Sequence, residues 1–475
     1  SHARRFGKSH AAGMIDAYYS LGSDSSKLFE NTKIASDPDY EKYRNKYNVI
    51  HLDISSVWDY HKEDLIESIE ERVCEDFQKI YGDLLNYRRD FYLLIQDIYS
   101  LTGIPFVIII DEWDCVIRNS HDQALVHKYL QFLHSLFKSE ESKSFLALGY
   151  ITGILPIKKI KDESALNNFQ EYTMLDSYPI TEYYGFTEKE VKDLCKDYSM
   201  DFETVKAWYN GYLIDGEHMY NPNSVSQALE RHKIDSYWRN TSAFDTINTF
   251  ITMNYAGLKD DVMKMLTGGK VRINTNTFQN DFSIITSKDD ALTALIHLGY
   301  LGYDADRKKS FIPNYEVATA FELALQTGSW KEIAESISKC DELLDETIDG
   351  NAERVAELIE LAPETYTSIL KYNDENVLSC VLTMAYFTAP AYYNVIREMP
   401  SGKGFADFVF LPRANAGNRP AMIIELKYNQ SAETALKQIK EKRYQGALSG
   451  YQGKILLVGI NYDSEKHHTC MIEEL

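Results

Sequence analysis

Four apolar runs in the first 180 residues constrain the fold of this chain more than any other feature of the sequence. They read YNVIHLDIS, PFVIIIDEWD, SFLALGYITGI and YTMLDSYPI, and helix-like stretches separate them. Continuous runs of Val, Ile and Leu are typical of strands in a parallel sheet that helices cover on both faces. The sequence therefore predicts an α/β domain with a parallel sheet over residues 1–180.

The rest of the chain divides into two zones. Residues 181–345 are mainly helical in pattern, with turn clusters such as YNGYLIDGE and YNPNS. From residue 346 a helix-rich segment leads into the strand-like runs FADFVFLP and AMIIELKY, and then into a helix and a further run, KILLVGINY. A chain of 475 residues is long enough for several domains, and we expect three, at 1–180, 181–345 and 346–475.

Charge and cysteine content limit the classes of partner and compartment. With a net charge of −21 the chain repels nucleic acid at long range, which still leaves room for a local basic groove. The six cysteines form no CxxC pair, which favours a reducing, cytoplasmic location. The apolar run at 377–393 contains polar residues and is short for a membrane span, so we expect a buried helix and no membrane partner. HHTC at 467–470 could bind a metal, but we expect a surface tail.

RRFGKS, near the start of the chain, matches the second half of a phosphate-binding loop. That loop reads GxxxxGK[ST]: its amides surround the phosphates, its lysine reaches the β- and γ-phosphates, and its hydroxyl ligates magnesium. Gly7, Lys8 and Ser9 fit the end of the loop, whereas His2 stands where the first glycine would be. The match is weak alone, so it needs support from other segments.

FVIIIDEWD supplies that support. Its apolar run ends in Asp111, where a magnesium-binding acid of a nucleotide site would lie. Glu112 follows and could polarise an attacking water as a general base. The alternative is a strand that ends in a polar turn. Thr152, at the end of the next run, could sense the γ-phosphate or could simply cap a turn.

GFADFVFLPRANAGNRPAMIIELKYN is the most informative stretch of the chain. Asp407 lies on its first predicted strand, and Glu425 and Lys427 lie two apart, on one face of its second. Two carboxylates suit magnesium or manganese, and a lysine beside them can orient or deprotonate a water. This arrangement is the D…ExK pattern of metal-dependent nucleases. A structural Glu–Lys pair is the alternative.

These segments together resemble the AAA-ATPase-like proteins of bacteria and archaea that carry a C-terminal PD-(D/E)XK-type nuclease domain. The matching stretches follow one another along nearly the whole chain: RRFGKS, IIIDEWD, YITGILPI, YYGFTEKEV, AWYNGYLIDGEHMYNPNSV, LIHLGYLGYD, IPNYEV and GKGFADFVF…IIELKYN. The resemblance implies a P-loop NTPase sheet, a helical, winged-helix-like lid region and a restriction-endonuclease-like α/β domain. A strand normally precedes the loop in this family, so we expect a chain truncated at its start whose sheet lacks that first strand.

The resemblance also implies further residues for the nuclease site. Glu375 matches an acid on the first helix of the family's nuclease domain and would be a third metal ligand, and Glu398 matches another acid. Ala406 stands where many relatives carry arginine, which we expect to remove a phosphate contact. LKQIKEKRY resembles the Gln-and-Tyr helix of RecB-like nucleases, with a longer spacing. From that helix Gln438, Lys440 and Tyr444 are predicted to contact nucleic acid, although a solvated helix face explains them about as well.

The predicted function is an ATP-regulated, metal-dependent nuclease that uses ATP and Mg²⁺ or Mn²⁺ and acts on DNA in preference to RNA. The alternative is a nucleotide-dependent signalling or scaffold protein whose nuclease-like domain binds a partner without cutting. The acidic composition and Ala406 mildly favour that alternative.

Aromatic residues of the middle zone, such as Tyr209 and Tyr212, are expected to pack in a core. A homo-oligomer is left open.

Overall fold

A computed structural model describes the chain in two compact units. The residues described are 1–82, 91–120, 122–140, 142–157, 166, 168–237, 247–250, 252–253, 255–266, 268–278, 285–327, 331–366, 386, 389, 392–401, 404–412, 417–441, 448, 451, 453–464 and 467–475. The first unit contains Ser1–Phe186, Leu213–Pro222 and Ile273–Lys308. The second contains Thr187–Tyr212, Asn223–Arg272 and Lys309–Leu475.

The first unit is built on three strands, β1 (Asn48–Asp53), β2 (Phe106–Asp111) and β3 (Leu146–Ile151). Its N-terminal helices are α1 (Lys8–Tyr19), α2 (Ser26–Phe29), α3 (Tyr40–Tyr43), α4 (Ile54–Tyr60), α5 (Leu65–Tyr81), α6 (Phe91–Thr102), α7 (Cys115–Asn119), α8 (Gln123–Phe137) and α9 (Ser142–Phe145). Single 3-10 turns lie at Lys33–Ser36 and Thr181–Tyr183.

The three strands form a parallel sheet in the order β1-β2-β3. All six residues of β2 are buried, because helices cover both faces of this central strand. Val107 and Ile109 pack with Ala12 of α1 on one face. Ile108 and Ile110 belong to a larger core on the other face, with residues of α5, α6 and α8. The predicted α/β unit with a parallel sheet is confirmed, and the strand expected before the loop stays a prediction.

The fourth apolar run, YTMLDSYPI, was predicted as a strand, and this prediction is wrong. Its residues 172–180 form turns, in which Thr173 N donates to Asp176 O at 2.7 Å and Ile180 N to Ser177 O at 2.8 Å. Asp, Ser and Pro interrupt the run, and these residues favour turns over continuous ladders.

Short strands and helices make up the middle of the chain. They are β4 (Phe186–Thr187), α10 (Glu188–Asp197), α11 (Phe202–Tyr209), β5 (Tyr212–Ile214), β6 (Glu217–Tyr220), α12 (Pro222–Arg231), α13 (Leu258–Leu266), β7 (Val271–Arg272), α14 (Lys288–Leu298), β8 (Gly302–Asp304) and β9 (Lys309–Phe311). Thr187 and Glu190 form a reciprocal capping box that starts α10. Tyr209 and Tyr212 are fully buried, so their predicted packing role is confirmed.

The C-terminal part of the second unit is a mixed five-stranded sheet with helices. Its elements are α15 (Tyr315–Thr327), α16 (Lys331–Ile348), α17 (Ala352–Tyr366), β10 (Tyr393–Ser401), β11 (Gly404–Pro412), β12 (Ala421–Tyr428), α18 (Ala432–Glu441), β13 (Ile455–Tyr462) and β14 (His468–Glu474). The strand order is β10-β11-β12-β13-β14, and β12 and β13 are the parallel pair.

Two apolar layers cover the faces of this sheet. On one face Val409 and Ile423 pack with Leu436 and Ile439 of α18. On the other, alternate residues such as Ile424 pack in a core that includes residues of α16 and α17. Residues two apart on β12 therefore share a face, as the alternation predicted. The face that α18 covers is the one that carries Glu425.

The last segment differs from its prediction. HHTC was expected to be a surface tail, but His468–Glu474 forms the edge strand β14 and the His468 side chain is buried. This strand pairs antiparallel with β13, and its polar residues alternate with apolar ones that reach the core.

Among the described residues, no helix is both long and apolar enough to cross a bilayer. The run at 377–393 lies almost wholly outside the described residues.

Candidate functional site

The predicted phosphate-binding loop is a turn that leads directly into α1. Gly7 has a φ of 88°, in the left-handed region that glycine adopts without strain, and Arg5 also has a positive φ of 67°. Lys8 is the first residue of α1 and is buried, and its Nζ donates to Ala3 O at 2.8 Å. Ser9 follows and is exposed. The loop thus leads into a helix whose first residue is the buried lysine.

Lys8 lies in an acidic environment. Burial lowers the pKa of its amine, and Glu112, Asp114 and Asp111 oppose that effect because their charges favour the ammonium form. The charges of the acids at the end of β2 and just after it therefore act on the lysine of the loop. This is the grouping that the two separate motifs predicted.

Asp111 and Thr152 meet at the carboxyl edge of the parallel sheet. The Thr152 hydroxyl donates to Asp111 Oδ1, and Thr152 N donates to Ile110 O at 2.8 Å. Both side chains are buried. Asp111 Oδ1 also accepts from Glu112 N at 3.0 Å. The structure thus brings the predicted metal ligand and the predicted sensor into contact, because parallel strands end at the same edge.

Glu112 is held by Arg118, which also bonds Asp114, and the nucleotide motifs predicted neither of these two residues. Arg118 Nη2 donates to Glu112 Oε2 at 2.7 Å, and Arg118 Nε donates to Asp114 Oδ2 at 2.8 Å. Burial raises the pKa of Glu112, and the charges of Lys8 and Arg118 oppose the shift. The signal for this pair was the four-residue spacing of Asp114 and Arg118, which brings them together over one helical turn.

A cavity of about 440 Å³ opens beside β3 in the same unit. Lys8 and Thr152 line it, and aromatic residues including Tyr150, Tyr172 and Tyr184 form other parts of its wall. Its volume is in the range of pockets that hold small molecules. Lys8 and Thr152 therefore adjoin a space that is large enough for a small ligand.

The predicted nuclease residues meet at β11 and β12. β11 pairs antiparallel with β12 with Phe408 opposite Ile424, so the next position brings Asp407 opposite Glu425. Asp407 Oδ2 accepts a hydrogen bond from Leu426 N at 2.7 Å. The Glu425 side chain is only 2% exposed although it is a carboxylate. Two acids on adjacent strands therefore converge, and one of them follows four buried apolar residues of β12.

Lys427 and Gln438 both contact the buried Glu425 carboxylate. Lys427 Nζ donates to Glu425 Oε1 at 3.1 Å, and the Gln438 amide of α18 donates to the same oxygen. The structure thus groups four of the predicted residues, which are Asp407, Glu425, Lys427 and Gln438. The contact of Gln438 with Glu425 differs from the predicted role of this residue, which was to contact nucleic acid.

Gly459 allows α18 to approach the sheet at this point. It lies opposite Glu425 on β13, and a Cβ at residue 459 would be 2.4 Å from Ala432 O and 3.1 Å from the Ala435 Cβ. Only a glycine leaves enough room for this close packing. The distance between α18 and β12, and with it the reach of Gln438, depends on this residue.

The remaining predicted site residues are placed as follows. Lys440 of α18 forms an ion pair with Glu473 on β14 and is about half exposed. Glu398 lies on β10 and Ala406 on β11. Glu375 and Tyr444 lie outside the described residues.

The donor set can be tested for its fit to a metal. Within the described residues no group of three or more His, Cys, Asp or Glu side chains could hold a metal ion. Asp407 and Glu425 supply two hard carboxylates, and Mg²⁺ is commonly held by one or two carboxylates together with waters and substrate phosphates. The pair therefore fits this kind of ion. A third protein ligand would have to come from elsewhere, and Glu375 is the predicted one.

Comparisons with known proteins match the two ends of the chain to two families. Residues 1–161 match the family described as "Predicted AAA-ATPase", and residues 373–472 match the PD-(D/E)XK nuclease superfamily. The chain is also similar to the "Uncharacterized protein in vnfD 5'region" of Azotobacter chroococcum mcd 1, with 24% identity over 250 residues. That match covers 51% of this chain and 46% of the relative, so the chain spans about half the length of this relative.

Proposed function

We propose that this chain, which joins an AAA-ATPase-like region to a PD-(D/E)XK nuclease superfamily region, is an ATP-regulated, metal-dependent nuclease that acts on DNA in the cytoplasm. The observation that carries the proposal is the grouping of Asp407, Glu425 and Lys427 on adjacent strands. An acid that is 2% exposed needs compensation for its lost hydration, and catalytic or metal sites are where such acids are expected.

The side chains have separate roles in this proposal. Mg²⁺ or Mn²⁺ would be held by Asp407 and Glu425, with Glu375 as the predicted third ligand, and would supply water activation and charge stabilisation at the phosphodiester. The Leu426 amide orients Asp407, and Gln438 orients Glu425. Lys427 would orient the attacking water or stabilise negative charge on the phosphate.

Metal binding tests the nuclease site directly. Calorimetric titration of the full chain with Mn²⁺ is expected to show a site that Asp407→Asn weakens by about 100-fold or more, because one of two carboxylate donors is lost. The matched control is Asp76→Asn, which removes an exposed acid of α5. Equal Mn²⁺ affinity in Asp407→Asn and the wild type would contradict the proposed site.

The nucleotide half of the proposal rests on the position of Lys8 at the start of α1, on the contact of Thr152 with Asp111, and on the cavity that Lys8 and Thr152 line. Lys8 and the first amides of α1 would bind the β- and γ-phosphates of ATP. Ser9 and Asp111 would hold Mg²⁺, and Thr152 would sense the γ-phosphate through its contact with Asp111. Glu112 would take a proton from the water whose oxygen attacks the γ-phosphorus as the bond to ADP breaks.

Nucleotide affinity tests this half. Binding of a fluorescent ATP analogue is expected to weaken about tenfold or more in Lys8→Ala, because a charge-assisted contact with phosphate is lost. Lys143→Ala, at an exposed surface pair, is the matched control and should bind like the wild type. Thermal unfolding of both variants shows whether Lys8→Ala folds. A folded Lys8→Ala that binds the analogue with wild-type affinity would exclude this role for Lys8.

A further inference from the structure

Arg118 joins two acids that follow β2. Its side chain is 9% exposed, and its Nη2 and Nε bond Glu112 Oε2 and Asp114 Oδ2 at 2.7 and 2.8 Å. Asp114 is completely buried. A planar guanidinium that makes two charge-assisted bonds fixes the orientation of both partners, which a single ammonium group cannot do.

Asp114 in turn ties Arg118 to the loop after β3. Its Oδ2 also accepts from Ile154 N at 3.2 Å and Leu155 N at 2.9 Å. Gly153 permits this approach, because a Cβ there would be 2.5 Å from Asp114 Oδ1. The guanidinium is therefore held in a fixed place relative to the segment that begins at Thr152.

Glu112 uses one carboxylate oxygen for Arg118 and keeps the other available. Among the described residues, Glu112 Oε1 accepts no hydrogen bond, and the side chain is 24% exposed. Its backbone has a φ of 52°, in the left-handed region that non-glycine residues rarely adopt. A general base needs a free atom for the proton and a second group that orients it, and this geometry meets both needs.

We propose that Arg118 is the positioning residue for the Glu112 general base, and that it aligns this base with the loop that carries Thr152. The inference rests on the proposed ATPase function and adds to it a residue that neither nucleotide motif contains. Arg118 itself does not contact the reacting atoms. It acts through Glu112, so its loss should reduce turnover without reducing nucleotide affinity.

The contacts of Arg118 predict how its loss would be seen. Its guanidinium bonds both the Glu112 carboxylate and the buried Asp114, and Asp114 is tied to the loop after β3. Removing the guanidinium leaves the Glu112 side chain without the bond that aligns it, so the rate of the chemical step should fall.

The test is the steady-state kinetics of ATP hydrolysis by the full chain, in the wild type and in Arg118→Met, Arg118→Lys and Glu112→Gln. In Arg118→Met we expect kcat to fall about tenfold or more with an unchanged KM for ATP. Arg118→Lys should restore part of kcat, because an ammonium group can keep one charge-assisted bond to Glu112. In the Glu112→Gln background Arg118→Met should have no further effect.

Several outcomes would overturn the assignment. One is a wild-type kcat in Arg118→Met, and another is a rise in KM that accounts for the whole loss of kcat/KM. If Arg118→Met does not fold, Arg118→Lys decides: a lower kcat at constant KM supports the proposal, and an unchanged kcat rejects it. A wild-type chain without ATP hydrolysis would reject the proposed ATPase function, and this inference with it. That result is distinguishable from an unchanged kcat in an Arg118→Met enzyme that hydrolyses ATP.

Discussion

At the scale of single residues, Glu425 is the least expected feature of the C-terminal sheet. Four apolar residues precede it on β12, and its own side chain is as buried as theirs. A buried carboxylate costs free energy unless it is paired and hydrogen-bonded, and Lys427 and Gln438 supply those contacts. Packing alone would favour another apolar residue at this position, so we infer that its chemistry is the reason for its presence.

We predict that Gln438 supports the metal site by orienting the Glu425 carboxylate. In Gln438→Ala the Glu425 carboxylate loses one donor, and metal-dependent cleavage should fall roughly 10–100-fold with a matching loss of Mn²⁺ affinity. Gln131→Ala on α8 is the matched control, since its amide bonds an exposed histidine. Cleavage assays and calorimetry check this. Wild-type activity in Gln438→Ala would show that the contact does not matter for the site.

His468 predicts an acid sensitivity of the fold. Burial lowers the pKa of its imidazole from 6.5 to about 4. The folded state therefore favours neutral His468, and its stability should be complete above pH 6.5 and lost as the pH falls from 6.5 towards 4. At pH 5 the loss is about 2 kcal/mol.

The substitution His468→Phe should remove this part of the acid sensitivity, because it keeps a ring beside Tyr462 and cannot be protonated. His467→Phe, at an exposed neighbour, is the control and should unfold with the pH dependence of the wild type. Melting temperatures at pH 7.5 and pH 5 measure the effect. Equal losses on acidification in His468→Phe and the wild type would contradict this account.

At the scale of elements, the packing of α18 on β13 depends on Gly459. Gly459→Ala places a methyl group against the Ala432 carbonyl, and we expect a loss of about 1–3 kcal/mol of stability. The same shift should move Gln438 away from Glu425 and lower metal affinity. Gly13→Ala in α1 meets open space and should leave stability unchanged or slightly raised. Unfolding curves and Mn²⁺ titration check both, and a fully stable, metal-binding Gly459→Ala would refute the argument.

Strong apolar runs made much of the fold predictable from the sequence. Continuous or alternating apolar residues predicted six of the strands, which are β1, β2, β3, β11, β12 and β13. β10 and β14 were missed because charged and polar residues interrupt them, and only their pairing with neighbours stabilises them. YTMLDSYPI shows the opposite error, because it was predicted as a strand and its residues lie in turns.

The candidate sites were predictable where a motif names the residues in order. Asp407, Glu425 and Lys427 share one strand pair, so alternation along a strand was enough to group them. Arg118 was missed because its importance depends on two contacts across a turn, which no local pattern records. Tertiary packing likewise determines that Gln438 reaches Glu425.

At the scale of the whole molecule, the proposal links ATP to cleavage. If the AAA-ATPase-like region regulates the nuclease region, the cleavage rate should differ by several-fold between ATP, a non-hydrolysable analogue and no nucleotide. In Lys8→Ala this dependence should disappear while the metal-dependent cleavage itself remains. Identical cleavage rates under all three conditions in the wild type would show that the nucleotide does not regulate cleavage.

The central claim is that the C-terminal site cuts nucleic acid with a divalent metal, and one cleavage assay tests it most directly. The full chain is incubated with single-stranded DNA, double-stranded DNA and RNA, in Mg²⁺ and in Mn²⁺, beside Asp407→Ala and the control Asp76→Ala. We predict metal-dependent cleavage by the wild type and the control, with DNA preferred, and a fall in Asp407→Ala to below about 1% of that rate. Cleavage that persists in Asp407→Ala, or no cleavage of any substrate by the wild type, would contradict the claim, and the second result would favour a signalling or scaffold protein.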